Sequence, residues 1–234
     1  MNLIRKGHRQ SHRGVIGVES AIVMIAFVIV AAALAFVVLN MGFSTTQKAK
    51  TTIVSGLGQV SSSLEVGGQV FGLGDTTNNK LMVEAIPIKI SSGGESVNLD
   101  PATTTIKYIS NSKTYDNIYA GTLEADADGS QDTSGAWGSL SAALTDATTK
   151  TWFDANPSSA APSNTKAFVY WTVNTNSNMI LDQGEHAVVA IGFSNSDKPS
   201  ALDNTRTEVI PPNGAPLTVQ RQVPSVTTSY VDLG

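Results

Sequence analysis

Val15 to Phe43 reads VIGVESAIVMIAFVIVAAALAFVVLNMGF, and its reading decides the fold. From Ala21 to Leu39 no side chain is polar or charged. At about 1.5 Å per residue, a helix over that span covers roughly 28 Å, the hydrocarbon thickness of a bilayer. Glu19 stands just before the apolar run, and a basic leader, MNLIRKGHRQSHRG, precedes it. The stretch could serve as a membrane anchor, a discarded signal or a building element. Its flanks separate these.

Downstream, the helical pattern outlasts the apolar run. Ala49, Ile53, Leu57, Val60 and Leu64 recur at steps of three and four, which is one stripe of a 3.6-residue helix. Val15 to Leu64 would make a rod of roughly 75 Å. Its first half is apolar all round and its second half along one face. Gly42, Gly56 and Gly58 are places where it could bend. A helix apolar on every side must be surrounded by lipid or by protein. Ala26, Ala31, Ala32, Ala33 and Ala35 offer small surfaces for close approach of neighbouring helices, and larger residues, among them Ile22, Ile25, Phe27, Ile29, Leu34, Phe36 and Leu39, fill the gaps.

Upstream, Arg5, Lys6, Arg9 and Arg13 crowd one end and should stay cytoplasmic, leaving the body outside. A secretory signal would show a short apolar core followed by a small-residue cleavage site. Here the small residue, Gly14, comes before a run too long for that role.

The chain has 234 residues, no cysteine and a formal net charge of −4. Beyond the helix, roughly 190 residues remain, enough for one domain with its own core. There is no disulfide framework and no thiolate chemistry. The basic residues of the leader leave the body acidic, which argues against nucleic-acid binding. Only 15% of residues are charged, and Ser, Thr, Asn and Gly take their place, as suits an exterior of strands and loops.

In residues 67–234, Gly67-Gly68 and Gly72-Leu73-Gly74 mark a joint. Strand-like runs follow at Leu81–Ile90, Thr103–Ile109, Ala167–Val173, Ala187–Phe193, Arg206–Ile210 and Leu217–Val223. Pro87 in the first run suggests an edge or a bulge. Short strands between Gly, Asn, Asp and Pro clusters point to an antiparallel β-sandwich. Gly121 to Ser163 is rich in Asp, Ser, Thr and Ala. Trp137, Leu140, Leu144 and Ala147 have helical spacing there, but the segment reads best as a surface insertion with one anchored turn. Pro211-Pro212-Asn213-Gly214 turns the chain into the strand at Leu217, and Ser229–Gly234 is a last strand or a contact with another subunit.

Two passages carry a family resemblance. Arg13-Gly14-Val15, with Glu19 at the fifth position after Gly14, resembles the class III signal of type IV pilin-like proteins. Glu19-Ser20-Ala21 and AAALAFVVLNMG, Ala31 to Gly42, resemble the N-terminal helix of archaeal flagellins, or archaellins. The resemblance implies an α+β chain in three parts: a signal peptide at 1–14, a filament-core helix at 15–66 and an immunoglobulin-like antiparallel β-sandwich at 67–234. It implies cleavage between Gly14 and Val15 by a prepilin-type signal peptidase, and a membrane-held precursor. An assembly platform and motor then serve an extracellular homopolymer. Glu19 would pair with the Val15 amine, its own or a neighbour's, and set register. The plain alternative is a carboxylate stabilised by the first helical turn and interfacial water. An adhesive type IV-like pilus subunit and a membrane-anchored extracellular binding protein are the competing functions.

Catalysis has little to stand on. Of the three histidines, His8 and His12 leave with the leader and only His186 remains. Gly56-x-Gly58 lies in a helical stripe without a preceding strand, so it is no dinucleotide loop. No cofactor is required, although calcium is a candidate occupant of one loop. Asn174, Asn176, Asn178, Ile180, Asp182 and Glu185 fall at positions one, three, five, seven, nine and twelve of a calcium-loop template. Met179 stands where that template needs Gly, and three ligands are neutral Asn, so the site is weak. The bland alternative is a turn at Asp182-Gln183-Gly184. A second acidic loop holds Glu124, Asp126, Asp128 and Asp132. The sequence has no Asn-x-Ser/Thr sequon, since Asn156 is followed by Pro157.

Overall fold

A computed structural model describes residues 13–61, 63–123 and 137–234. Most of the leader, with His8 and His12, and the acidic loop Glu124, Asp126, Asp128 and Asp132 lie outside the described residues. Two compact units are distinguished, Met1–Ser55 and Gly56–Gly234.

The first element, α1, is one continuous helix, Arg13–Ser61, about 73 Å long. Gly42 and Gly56 do not break it. Its polar half is rich in threonine, a poor helix former. Thr45, Thr46, Thr51 and Thr52 each donate their hydroxyl to the carbonyl four residues back, at 2.8–2.9 Å, so each hydroxyl is satisfied within the helix, at a small cost to its regularity. The expected boundary near residue 66 needs correction. Leu64, the last member of the apolar stripe, is not helical. It opens strand β1, Leu64–Val66, and pairs with Ile90.

Strands β2 (Phe71–Asp75), β3 (Lys80–Ile90), β4 (Val97–Asn98), β5 (Thr105–Ser110), β6 (Thr114–Tyr115) and β7 (Tyr119–Leu123) lead to helix α2, Leu140–Thr149. Then come β8 (Lys166–Val173), β9 (Ile180–Leu181), β10 (His186–Gly192), β11 (Asn204–Ile210), β12 (Leu217–Gln222) and β13 (Tyr230–Asp232). The larger sheet runs β13-β2-β3-β10-β8-β7, with β1 also on β3, and the smaller runs β12-β11-β5-β6. Ile86, Ile88, Val189 and Trp171 of the first sheet pack with Ile106, Tyr108, Val209 and Val219 of the second. This is the immunoglobulin-like sandwich, antiparallel except where β7 lies parallel to β8.

Three readings change. FGLGD, taken as part of a joint, is β2. Its glycines are there for space: a Cβ on Gly72 would meet Leu81 Cδ1 and Val83 O at 2.6 Å, and one on Gly74 would run into Val226 and Thr228. Pro87 is not at an edge. It faces Val188 of β10 on one side. On the other side it falls where β2 ends at Ala85 and β1 begins at Ile88, so no ladder needs its missing N–H. Gly67 N donates to Pro87 O there, at 2.8 Å.

The segment after β7 is more than a surface insertion. Ser139 caps α2 by accepting from Ala142 N, and Leu140, Ala143, Leu144 and Ala147 are buried. They pack on Phe168, Tyr170, Val188 and Ala190, the outer face of the larger sheet. Strands β8 and β10 are therefore covered on both faces, which is why AFVYWTV reads as an unbroken apolar run. Val231 and Leu233 are buried too, and β13 pairs with β2, so the last strand belongs to this chain's own sandwich.

Candidate assembly surface

The side chains of α1 are exposed throughout the residues described, 17–57. The seven expected packing residues, Ile22, Ile25, Phe27, Ile29, Leu34, Phe36 and Leu39, range from 60% exposed at Ile25 to 75% at Phe27. With Val23, Met24, Val28, Val30, Val37 and Val38, which are exposed too, they cover every direction around the axis, because successive residues turn by about 100°. Ile53 and Leu57 of the polar half are exposed as well. Gly17–Leu57 is long and apolar enough to cross a membrane, and its most apolar stretch is not buried at all. An apolar surface this large marks an interaction site, and its even spread calls for cover on all sides.

Gly14 and Val15 lie in the first turn of α1. Glu19 is exposed and four residues beyond Val15, hence on the same helix face.

The loop between β8 and β10 is closed by its own polar groups. Asn174 Oδ1 accepts from Ser177 N at 2.9 Å, and Asn178 Oδ1 from Ile180 N at 2.8 Å. Asn176 Nδ2 donates to Asp182, and so does Ser96 Oγ. Ile180 sits in β9, paired with Asn98 of β4. Glu185 is 1% exposed; its carboxylate accepts from Thr175 N at 2.8 Å and Asp182 N at 3.0 Å. Glu185 N donates to Asp182 O, with Gly184 at φ +93°, a tight turn at Asp182-Gln183-Gly184. Thus Asn176, Asp182 and Glu185 are brought together, but the oxygens of Glu185 are used on backbone N–H groups. Among the described residues no group of three or more His, Cys, Asp or Glu side chains is placed to hold a metal.

One charged residue escaped the sequence reading. Glu84 of β3 is 1% exposed and faces the space between the sheets. Its Oε1 lies 3.5 Å from Thr205 Oγ1, and Oε2 has no hydrogen-bond partner among the described residues. Burial pushes its carboxyl up to about 7, against the Thr205 hydroxyl and the Arg221 charge. The signal was available: Glu84 shares its strand face with Ile86, Ile88 and Ile90.

A family model for archaeal-type flagellin matches residues 14–221. "Probable flagellin 1" of Aeropyrum pernix is 36% identical over 217 residues, covering 91% of this chain and 93% of that protein. "Flagellin FlaB2" of Saccharolobus shibatae is 37% identical over 125 residues, 52% of this chain and 41% of that one. Among solved structures, a chain of the archaeal flagellum of Methanospirillum hungatei superposes with a TM-score of 0.52 at 23% identity, covering 92% of this chain and 98% of that chain. Flagellin FlaB1 of Methanocaldococcus jannaschii gives 0.54 at 18% identity, covering 74% and 96%. These two likenesses speak for the fold.

Proposed function

The chain belongs to the archaeal-type flagellin family, and from that premise we propose how its helix reaches the filament. The protein is a structural subunit that polymerises through its N-terminal helix into the archaellum, a surface appendage used for swimming. Its family is structural rather than catalytic. The observation that carries the reading is the all-round exposure of the apolar α1, since a helix apolar on every side must be covered on every side.

In the proposed sequence, the apolar helix holds the precursor in the cell membrane, and the basic leader, kept in the cytoplasm, leaves the outer domain outside. A prepilin-type peptidase cuts between Gly14 and Val15, and the helix moves from lipid into a helical core on an assembly platform. Torque comes from a separate motor. Protein replaces lipid around the same side chains, so close packing favours assembly more than fresh hydrophobic burial does. Glu19 fixes register against a Val15 amine.

N-terminal sequencing of purified filaments, with electron microscopy of the same preparation, tests this. The expected start is Val15. A start at Met1 on a monomeric membrane-bound protein would favour the anchored binding protein instead. An adhesive pilus subunit shares the processing but predicts cells that swim normally without this gene and fail to attach.

For loop 174–185 we propose a weak calcium site, supported by the meeting of Asn176 and Asp182, at which a cation would compete with Thr175 N and Asp182 N for Glu185. With Kd on the order of 1 mM, calcium at that concentration stabilises the domain by about 0.4 kcal/mol. Melting should rise slightly with calcium and return with chelator, and Asp182→Ala should remove the response. Identical melting curves under all conditions would dismiss the metal.

A further inference from the structure

We propose that Asn213 is a site of spontaneous covalent modification, converting through a succinimide to aspartate and isoaspartate. Asn213-Gly214 is the one Asn-Gly pair in the chain. It lies in the exposed connection between β11 and β12. Asn213 is exposed and Gly214 has φ +96°. Glycine has no Cβ to shield its nitrogen or restrict its approach.

The hydrogen-bonding pattern singles the pair out further. Most asparagines of the outer domain are held by their amides. Asn78 donates to Asp75, Asn79 accepts from Val226 N, Asn98 accepts from Asp100 N, Asn111 donates to Asp203 and Asn156 accepts from Ser158 N. Among the described residues, no hydrogen bond engages the Asn213 amide or the Gly214 N–H. Electrophile and nucleophile are therefore neighbours and unengaged, with Asn213 exposed and Gly214 half-buried.

The chemistry needs only water. The Gly214 nitrogen, losing its proton, attacks Asn213 Cγ. An N–Cγ bond forms, the Cγ–Nδ2 bond breaks and Nδ2 departs as ammonia, carrying the proton lost by Gly214. Water then adds to one of the two imide carbonyls. Opening on the side-chain side gives aspartate. Opening on the backbone side gives isoaspartate, in which the main chain passes through the former side chain and gains a methylene. Either product adds a negative charge.

The position gives this a consequence. Ala215, next to Gly214, forms a parallel bridge with Ser63, just after α1. Ser63 O in turn accepts from Ser91 N at 3.1 Å. A longer main chain at residue 213 thus falls two positions from the point where the β11–β12 hairpin holds the segment leaving the helix. The modification would mark the age of a subunit at its joint. None of this depends on how the helix assembles.

The test is timed incubation of the purified full-length protein at mildly alkaline pH. Peptide mapping by high-resolution mass spectrometry would follow, with isoaspartate detected by enzymatic methyl labelling. Conversion at Asn213 should exceed that at Asn195 and Asn204, which precede Ser and Thr, by several-fold. Asn213→Gln should abolish the signal at this position, and Gly214→Ala should slow it. Retention of the Asn213 amide while its peptide is seen intact, or conversion no faster than at Asn195, would overturn the proposal.

Discussion

Ala33→Asp should abolish filament formation and leave the melting temperature of the outer domain unchanged. Ala33 lies in the middle of the uncharged run Ala21–Leu39, on a helix whose described side chains are all exposed. Whatever covers this surface is apolar. A carboxylate there costs about 3 kcal/mol even at the low end of membrane-insertion scales, and more where tightly packed helices exclude water. Every subunit of a polymer would carry that cost. The outer domain has its own core in a separate compact unit, so its melting reports that the variant is folded. Because a charge also disfavours lipid, Ala33→Leu separates the two surroundings. It is more apolar and acceptable to a bilayer, yet it removes a small surface from the close approach of neighbouring helices. Folded Ala33→Leu subunits that stay in the membrane fraction would place the residue in a packed core. Normal filaments from both variants would show that this face of α1 is not an assembly surface.

The parts of the fold legible in the sequence were those with one dominant periodicity. The apolar run and its stripe announced a long helix, and six strand-like runs between turn residues announced the sandwich. What was lost had competing causes. Gly72 and Gly74 signal a joint by composition, but glycine also fits where another strand passes too close for a side chain, and only the packing against Leu81 and Val226 decides. Leu64 continues a helical stripe, yet its pairing with Ile90 across the sheet wins, an interaction no local window contains. Leu140, Leu144 and Ala147 showed the right spacing for α2. Their polar neighbourhood hid the fact that the larger sheet has a second apolar face to cover. In the candidate site, the apolar character of α1 in every direction was legible from the sequence, and with it the exposure of its side chains in a single chain. The polar loop was not. Only Asn176, Asp182 and Glu185 of its six spaced residues meet, and spacing does not tell whether Glu185 turns to a cation or to the N–H groups of Thr175 and Asp182.

Glu84→Gln should flatten the pH dependence of outer-domain stability between about pH 4.5 and 7 and stabilise the domain at pH 8 by about 3 kcal/mol. In the folded chain, burial raises this carboxyl from its usual 4.5 to about 7. Facing it are the Thr205 hydroxyl on β11 and the Arg221 charge on β12, while Tyr108 on β5 is neutral, its own ionisation pushed upward first by burial and then by Glu84. Below pH 4.5 both folded and unfolded chains hold the proton, and Glu84 has no effect on the slope. Between 4.5 and 7 the folded chain holds a proton that the unfolded chain releases, so stability falls as pH rises. Above 7 both forms are ionised, and the full cost of a buried, poorly partnered carboxylate remains. Gln keeps the shape and loses the charge. The lowered carboxyls act in a different window. Asp197 is buried, which alone would raise it, but hydrogen bonds from Thr165, Tyr115, Ser194 and Ser196 hold it below the usual range. Its contribution is present above pH 4 and is lost as the solution becomes more acidic. Wild-type stability should therefore peak near pH 4 to 5, with Asp197 shaping the acid side and Glu84 the neutral side. Urea melts of the full chain at pH 4, 5, 6, 7 and 8 measure it. A wild-type profile that stays level from pH 5 to 8, or a Glu84→Gln variant that keeps the wild-type slope, would remove Glu84 as the cause.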